Sequence, residues 1–411
     1  MIGKRIHIRT LGCRTNQYDS AALAYKLETE GYRIAPHASE ADVIIVNSCA
    51  VTDRAERKCG QLIRKLARNH RQADILLAGC LGRRNPDVFR DHSDVRAVFG
   101  VNAAHEMVAF LSGKKSDSTP SPFGSIDGMK ERTRAHLKIQ DGCDAGCAYC
   151  IVPLVRGKPV SRPLDEVVRQ VEMLLEKKIP EIVLTGIHIG RYADGQNGLS
   201  DLLEKITVFP GSYRIRLSSI EPGEVNDRLL EWVLYHPRLC RHLHLPLQSG
   251  NNRLLKAMGR PYTSDDYFKL LERIRRQSEE CGLGTDILVG FPSETDQEFQ
   301  ETVERIKNSP LTFGHVFPFS VRPGTRAAEL TDTVKRSEKE ARVRRLKQLF
   351  SELKSNFAAR FIGQSAEVVF ESDCTGVSSN YLRIQGATDV RKGELMTVTI
   401  QTLAGDMLIS E

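Results

Sequence analysis

Residues 143–150 read Cys-Asp-Ala-Gly-Cys-Ala-Tyr-Cys and place three cysteines at the spacing C-x₃-C-x₂-C. Three thiolates are enough to hold a [4Fe–4S] cluster by three corners, which leaves the fourth iron without a protein ligand. An open metal position can bind and polarise a small molecule. The alternative is a zinc knuckle or a set of core cysteines, but tetrahedral zinc needs a fourth ligand. The spacing therefore predicts an iron–sulfur site at Cys143, Cys147 and Cys150.

Length and composition set the broad class. The chain has 411 residues, of which 40% are hydrophobic, so two or three globular domains are expected. No apolar run approaches the ~18 residues that a membrane span needs, and residues 1–8 run directly into a strand pattern rather than a signal peptide. We therefore expect a cytoplasmic protein without a membrane partner. Its ten cysteines then indicate metal or catalytic use rather than disulfides.

Charge gives a weaker signal. The chain has 59 Lys and Arg against 52 Asp and Glu. This excess is compatible with a polyanionic partner such as a nucleic acid, but it is modest.

Three short apolar runs open the chain, and each ends in a cysteine: residues 6–13, 43–49 and 75–80. Such runs predict buried parallel strands, with crossover helices expected at residues 19–30 and 54–69. The carboxyl ends of parallel strands share one edge of a sheet, so Cys13, Cys49 and Cys80 should converge. They are either a second three-cysteine cluster site or three small buried hydrophobic residues. Cys59, Cys240, Cys281 and Cys374 are interpreted as structural.

The predicted fold class is α/β, with five consecutive segments. The N-terminal parallel α/β sheet domain covers residues 1–112, and a linker rich in Ser, Pro, Gly and charge covers 113–132. Strands and helices alternate in residues 133–335, which predicts a partial (β/α)₆ barrel. Its strands are expected at residues 135–140, 181–185, 213–218, 242–247, 284–289 and 313–320.

The last two segments differ in pattern. Residues 336–362 predict a long bridging amphipathic helix with a basic face. Residues 363–411 predict a small antiparallel β-barrel with strands at 366–371, 381–385, 395–402 and 407–410. A barrel of this size either binds RNA or serves as a structural cap.

Longer motifs resemble those of the radical S-adenosylmethionine (radical SAM) methylthiotransferases over nearly the whole chain. The N-terminal domain carries L-G-C-R-T-N-Q-Y-D-S (11–20), N-S-C-A-V-T (47–52) and A-G-C (78–80). The stretches L-T-G-I-H-I-G (184–190), R-L-S-S-I-E-P (216–222), L-H-L-P-L-Q-S-G (243–250), D-I-L-V-G-F-P-S-E-T (286–295) and H-V-F-P-F-S-V-R-P-G-T (315–325) are most similar to the branch that acts on N6-threonylcarbamoyladenosine in tRNA.

The resemblance implies two [4Fe–4S] clusters and bound S-adenosylmethionine. Cys143, Cys147 and Cys150 would hold the radical SAM cluster, and Cys13, Cys49 and Cys80 an auxiliary cluster. S-adenosylmethionine would be held near Tyr149, Gly186, Ser218, Glu221 and Gly290. The C-terminal barrel is similar to a TRAM domain, which implies contact with RNA. Arg156 is expected either to contact substrate or sulfur or to form a structural salt bridge.

The implied reaction replaces the C2 hydrogen of N6-threonylcarbamoyladenosine, beside the tRNA anticodon, with a methylthio group. One S-adenosylmethionine would donate the methyl group and a second would generate the 5′-deoxyadenosyl radical. The implied partners are the tRNA anticodon stem-loop, an electron donor such as flavodoxin or ferredoxin, and a sulfur source. The alternatives are a related enzyme acting on isopentenyladenosine in tRNA or on a ribosomal-protein aspartate, and a non-catalytic iron–sulfur RNA-binding protein.

Overall fold

The computed structural model describes residues 3–90, 93–114, 121–128, 132–372, 374–387 and 390–411. The N-terminal domain is a five-stranded sheet whose strands are all parallel. In spatial order the strands are Arg33–Ile34, Arg5–Thr10, Val43–Ser48, Asp74–Gly79 and Ala97–Val98. The three predicted strands are confirmed, and the pattern missed only the two short edge strands.

Helices Arg14–Thr29 and Asp53–Asn69 provide the two predicted crossovers, and helices Cys80–Arg84, Pro86–Arg90 and Ala104–Ser112 complete the domain. The first helix begins five residues before the predicted position, at Arg14 directly after Cys13. Its first turn is polar, so apolar periodicity gave no sign of it. The early start brings Arg14 close to the cysteine-bearing sheet edge.

Part of the predicted linker, residues 115–120 and 129–131, lies outside the described residues. Residues 121–128 are packed against the protein. Ile126 is fully buried, and its N–H donates to Oε1 of Gln170 at 3.0 Å. The hydroxyl of Tyr18 donates to the Gly124 carbonyl at 2.5 Å. These contacts join the segment to both neighbouring domains.

The central domain contains six parallel strands in chain order, as predicted: Arg134–Lys138, Glu181–Thr185, Arg214–Leu217, His242–His244, Gly282–Val289 and Phe313–Pro318. The third strand is joined to the segment just before the fourth, since the Ile215 N–H donates to Arg238 O at 2.7 Å and the Cys240 N–H donates to Ile215 O at 2.9 Å. The arrangement is an open, partial β/α barrel.

Helices cover the outside of this barrel: Leu164–Glu176, Leu199–Ile206, Asp227–Tyr235, Asn252–Ala257, Ser264–Gln277 and Asp296–Lys307, with a short helix at Val152–Arg156. Cys281 lies in the barrel core, and Cys240 is buried as well. Cys59 is buried in the core of the N-terminal domain. Their burial is what a structural role predicts, whereas Cys374 is only half-buried.

Helix Arg336–Ala359 leads into the C-terminal barrel, whose five strands close on themselves. The strands are Ser365–Ser372, Thr375–Ser378, Arg383–Gln385, Leu395–Ala404 and Met407–Ser410. The sequence missed Thr375–Ser378, which is short and contains Gly376. The barrel is not wholly antiparallel, because Arg383–Gln385 and Met407–Ser410 pair in parallel.

The C-terminal barrel covers the amino ends of the central strands. Arg214 donates from Nη2 to the Val377 carbonyl at 2.7 Å, and Arg216 donates from Nη2 to the Ser378 carbonyl at 2.9 Å. Both guanidinium groups also bind the buried carboxylate of Glu181. The barrel is therefore attached through buried, charge-assisted hydrogen bonds. No helix of the described residues is long and apolar enough to cross a membrane.

Candidate active site

One cavity of about 560 Å³ connects the three domains. We call it the central cavity, and it is lined by Cys143, Cys147, Cys150 and Tyr149 from the loop after the first barrel strand, by Cys13 and Arg14 from the N-terminal domain, and by Tyr381 from the C-terminal barrel. Residues at both ends of the barrel strands contribute to it. The cavity thus extends along the inside of the partial barrel.

The loop that carries Cys143, Cys147 and Cys150 is fixed by backbone contacts. The Ala148 N–H donates to Met258 O at 2.8 Å, and the Ala148 carbonyl accepts from the Ala327 N–H at 2.8 Å. Gly142 precedes the loop with a φ of +71°, and a Cβ there would lie 2.1 Å from the Lys158 carbonyl. Only glycine fits this close approach. These contacts fix the loop to the central domain.

Two cationic side chains face these sulfurs. A ring nitrogen of His188 lies 3.6 Å from Sγ of Cys143, and Arg260 donates from Nη1 to Sγ of Cys147 at 3.2 Å. Burial alone would raise the pKa of the Cys143 thiol, but hydrogen bonds from His188 and the Ala145 amide outweigh it, so this pKa lies below its ordinary value. Burial raises the pKa of Cys150 to about 12. Positive charge near the first two sulfurs favours thiolate ligands.

The N-terminal cysteines follow the carboxyl ends of three neighbouring parallel strands, on one edge of the sheet. Cys49 and Cys80 are buried and Cys13 is exposed towards the central cavity. Gly12 has a φ of +111°, and a Cβ there would lie 2.7 Å from Cβ of Cys49. Glycine at this position lets the backbone before Cys13 approach the Cys49 side chain closely.

Arg156 links the two cysteine sets. Its Nη1 donates to both carboxylate oxygens of Asp141 at 3.0 Å, and its Nη2 donates to Asp19 at 2.9 Å and to Asn16 at 3.0 Å. Asp141 precedes the Cys143 loop, and Asn16 accepts a hydrogen bond from Sγ of Cys13 at 3.3 Å. Of the two expectations for Arg156, the structure places it in the salt bridge. That bridge holds the two cysteine sets in register.

Four of the five residues expected to hold S-adenosylmethionine line the central cavity: Tyr149, Gly186, Ser218 and Glu221. The Ser218 hydroxyl is buried without a hydrogen-bond partner in the described protein, and Glu221 is paired with Arg260. Gly290 is not among the lining residues; its N–H donates to Glu294, and it packs against Lys339. A bound ligand in the cavity would give the Ser218 hydroxyl a partner.

Sequence reasoning missed a polar and aromatic cluster at the other end of the cavity. It consists of Arg14, His242, His244, Asp286, Phe313, His315 and Tyr381. Tyr381 stacks on His242 with ring centroids 4.6 Å apart and on Phe313 at 5.3 Å. Several of these residues lie in the long motifs and on predicted strands, so their position in the barrel could have identified them. Nothing in the sequence identifies Tyr381 as a cavity residue.

Comparison with known proteins identifies the family. Residues 5–100 match the uncharacterized protein family UPF0004, and residues 137–306 match the radical SAM superfamily. The chain is 35% identical over 422 residues to the threonylcarbamoyladenosine tRNA methylthiotransferase MtaB of Thermotoga maritima, covering 99% of this chain and 96% of the relative. The chain belongs to the radical SAM methylthiotransferases. It is also 36% identical over 386 residues to the tRNA-2-methylthio-N(6)-dimethylallyladenosine synthase of Chloroflexus aurantiacus, covering 91% and 83%.

Solved structures share the fold of this methylthiotransferase. The radical S-adenosylmethionine methyltransferase TsrM from Kitasatospora setae has a TM-score of 0.57 at 14% identity, covering 79% of this chain and 77% of TsrM. The cobalamin-dependent S-adenosylmethionine radical enzyme OxsB has a TM-score of 0.53 at 10% identity, covering 85% of this chain; this chain spans 56% of OxsB. Both comparisons support the partial barrel joined to an N-terminal α/β sheet.

The residues of the methylthiotransferase fit the cofactors of its superfamily, a [4Fe–4S] cluster and S-adenosylmethionine. Among the described residues, no three His, Cys, Asp or Glu side chains converge as the ligands of one metal ion would. A cluster needs more widely spaced thiolates than a single zinc ion, because each sulfur binds a different iron. Cys143, Cys147 and Cys150 surround space in a cavity that also has unpaired polar groups, which suits a cluster with a bound ligand.

Proposed function

We propose that this enzyme methylthiolates C2 of N6-threonylcarbamoyladenosine beside the tRNA anticodon, using two [4Fe–4S] clusters and two molecules of S-adenosylmethionine. The observation that carries the proposal is that both cysteine sets reach one cavity, through Cys13 on one side and Cys143, Cys147 and Cys150 on the other. A methylthio transfer needs a sulfur site and a radical site to meet at one substrate carbon. A shared cavity satisfies that requirement.

The choice of substrate rests on the long motifs between residues 184 and 325 and on the cavity. Percentage identity does not separate the two tRNA branches, at 35% and 36%. The cavity also contains a guanidinium group, which suits a substrate that carries a carboxylate better than one with an apolar isoprenoid group.

Each group of residues has a proposed role. Cys143, Cys147 and Cys150 would hold the radical SAM cluster, and Cys13, Cys49 and Cys80 the auxiliary cluster. When bound, the radical SAM cluster supplies the electron that cleaves S-adenosylmethionine. His188 and Arg260 place positive charge beside the thiolates, and Tyr149, Gly186, Ser218 and Glu221 would orient S-adenosylmethionine. Gly290, away from the cavity lining, would contribute only through the loop that it begins.

The reaction also requires partners. An electron donor such as flavodoxin or ferredoxin, and a sulfur source, are part of the proposal. A tRNA substrate and reduced cysteines would place the reaction in the cytoplasm.

The function is tested by nucleoside mass spectrometry of tRNA. A strain that lacks the gene should contain N6-threonylcarbamoyladenosine without its methylthio derivative, and restoring the gene should restore the derivative. If the strain instead lacks methylthio-isopentenyladenosine, the enzyme belongs to the branch that acts on isopentenyladenosine in tRNA. Unchanged tRNA in both strains would contradict a tRNA substrate.

Iron content tests the number of clusters. Anaerobically reconstituted protein should bind about eight irons, on the stoichiometry of two [4Fe–4S] clusters. A triple alanine variant of Cys143, Cys147 and Cys150 should retain about half, because the N-terminal cysteines lie in a separate sheet. Iron and acid-labile sulfide analysis measures this. A folded triple variant that binds no iron would refute independent sites.

Salt dependence tests the predicted tRNA surface on helix Arg336–Ala359. Arg344 and Lys347 are exposed, whereas Arg342 is buried and paired with Glu294. Each phosphate contact steepens the fall of log affinity with log salt by roughly 0.7 to 0.9. An Arg344→Gln/Lys347→Gln double variant should therefore bind tRNA more weakly and with a flatter slope.

The matched control is Arg228→Gln/Arg273→Gln. Arg228 is exposed and Arg273 is half-buried, and they already pair with Asp201 and Asp227. It removes the same charge and should alter the slope less. Equal effects of the two double variants would show that only net charge matters and that the helix is no tRNA surface.

A further inference from the structure

The central cavity contains one guanidinium group whose role the proposed chemistry does not explain. Arg14 follows Cys13, begins helix Arg14–Thr29 and lines the cavity. It is partly buried, and its Nη2 donates to the Tyr381 hydroxyl at 2.9 Å. The two residues are 367 positions apart in sequence, so the N-terminal and C-terminal domains build this pair together.

Arg14 differs from the other arginines around the cavity in having no carboxylate partner. Arg156 pairs with Asp141 and Arg260 pairs with Glu221. Within the described part of the chain, Arg14 forms no ion pair with an Asp or Glu side chain. A partly buried cation without a counterion is costly, and an anionic ligand would offset that cost.

The surroundings of Arg14 also lack hydrogen-bond partners. His242 is 1% exposed, and neither of its ring nitrogens has a partner in the described protein. Its ring stacks on Tyr381. The acidic residue on the same wall, Asp286, lies 3.5 Å from Nε2 of His244 and forms no ion pair with Arg14. Burial raises the pKa of Asp286 to about 6, although the charges of His315 and Arg14 oppose that rise. This end of the cavity is therefore suited to a ligand that is both polar and anionic.

The proposed substrate carries such a group. Threonine joined through its nitrogen to the carbamoyl carbon keeps a free carboxylate, whereas an isopentenyl group has no charge. A guanidinium fork binds a carboxylate through two parallel hydrogen bonds. We propose that Arg14, oriented by Tyr381, binds the threonyl carboxylate of the substrate nucleoside and so selects it over uncharged adenosine derivatives. This inference rests on the proposed function and assigns a specificity-determining residue to it.

The test measures binding, which does not depend on turnover. Anticodon stem-loops of one sequence would carry N6-threonylcarbamoyladenosine, its carboxyl methyl ester, or plain adenosine, and each would be titrated against the anaerobically reconstituted enzyme. The wild-type enzyme should bind the free acid roughly 10- to 100-fold more tightly than the ester or adenosine, the range expected for a charged hydrogen bond. The methyl ester removes the carboxylate charge from the ligand itself, so this comparison needs no variant protein.

Variants then locate the contact. Arg14→Gln should lose the preference for the free acid and keep its affinity for the adenosine stem-loop, and Arg14→Lys should keep part of the preference. Tyr381→Phe, which removes only the hydroxyl, should weaken the preference. The matched control is Arg57→Gln. Arg57 is an exposed arginine of the same domain that pairs with Asp53, and its variant should keep the full preference for the free acid.

Each contrary outcome has a distinct meaning. Equal weakening of all three stem-loops by Arg14→Gln would make Arg14 a phosphate contact and overturn the inference. A raised KM for S-adenosylmethionine with an unchanged free-acid preference would assign Arg14 to that carboxylate and overturn it as well. A wild-type preference that survives Arg14→Gln overturns the inference alone, whereas no wild-type preference, together with unchanged tRNA in the deletion strain, overturns the proposed function too.

Discussion

Replacing Cys13, Cys49 and Cys80 together with alanine is expected to abolish methylthio product while S-adenosylmethionine cleavage continues. The Cys143 loop is fixed by backbone bonds to Met258 and Ala327, both of the central domain. Those bonds do not involve the N-terminal sheet, so the radical site should assemble without the auxiliary one. Product tRNA nucleosides and 5′-deoxyadenosine, measured in the same reaction, check the prediction.

Cys59→Ala is the matched control for this experiment. Cys59 is a fully buried cysteine of the same domain, on the core-facing side of helix Asp53–Asn69. Replacing it with alanine leaves a small cavity, so the variant should be slightly less stable to unfolding. It should still form both the methylthio product and 5′-deoxyadenosine. Methylthio product from the triple variant would refute the role of the N-terminal cysteines, and loss of 5′-deoxyadenosine from a folded triple variant would show that the two sites are not independent.

The largest loss of stability is expected from Glu181→Gln. Glu181 is fully buried, and its carboxylate accepts from Nε of Arg214 at 2.7 Å and from Nε of Arg216 at 2.8 Å. Burial alone would raise the pKa of Glu181, but the adjacent arginines hold it well below its usual range. The glutamine keeps the shape and removes the charge, which leaves buried Arg216 without a carboxylate partner and Arg214 with Glu367 alone. We expect a loss of about 3–5 kcal/mol in the free energy of unfolding.

Glu204→Gln tests whether burial is the cause. Glu204 pairs with Arg228, and the two side chains are 59% and 50% exposed. An exposed pair contributes less than about 1 kcal/mol, so this variant should unfold close to the wild-type midpoint. Thermal and urea unfolding of the two variants side by side measure the difference. Equal midpoints would mean that the carbonyls of Val377 and Ser378 satisfy the arginines without Glu181.

Much of the fold was predictable because its signals are local. The six central strands were each located to within a few residues, and strand Glu181–Thr185 has its predicted ends. Buried parallel strands are short apolar runs, and helices alternate with them at regular spacing. Strand Thr375–Ser378 was missed because it is short and contains a glycine, and the start of helix Arg14–Thr29 was missed because its first turn is polar.

The candidate site divides in the same way. Cys13, Cys49 and Cys80 could be assigned to one edge because parallel topology fixes which strand ends meet. The partner of Arg156 could not be assigned from the sequence, because the residues around an arginine look the same whether its side chain faces a substrate or a buried carboxylate. The position of Gly290 away from the cavity also depended on how its loop packs against Lys339.

The sequence by itself determined the two cysteine sets, the order of the domains and the radical SAM methylthiotransferase family, because each is encoded in spacing or in a continuous motif. Only the tertiary structure decided that the C-terminal barrel covers the amino ends of the central strands and that its Tyr381 lines the cavity. It also decided that Arg14 meets Tyr381 rather than a carboxylate. These contacts join residues that are hundreds of positions apart, and their energy comes from burial and charge pairing between domains, which leave no periodic trace in the chain.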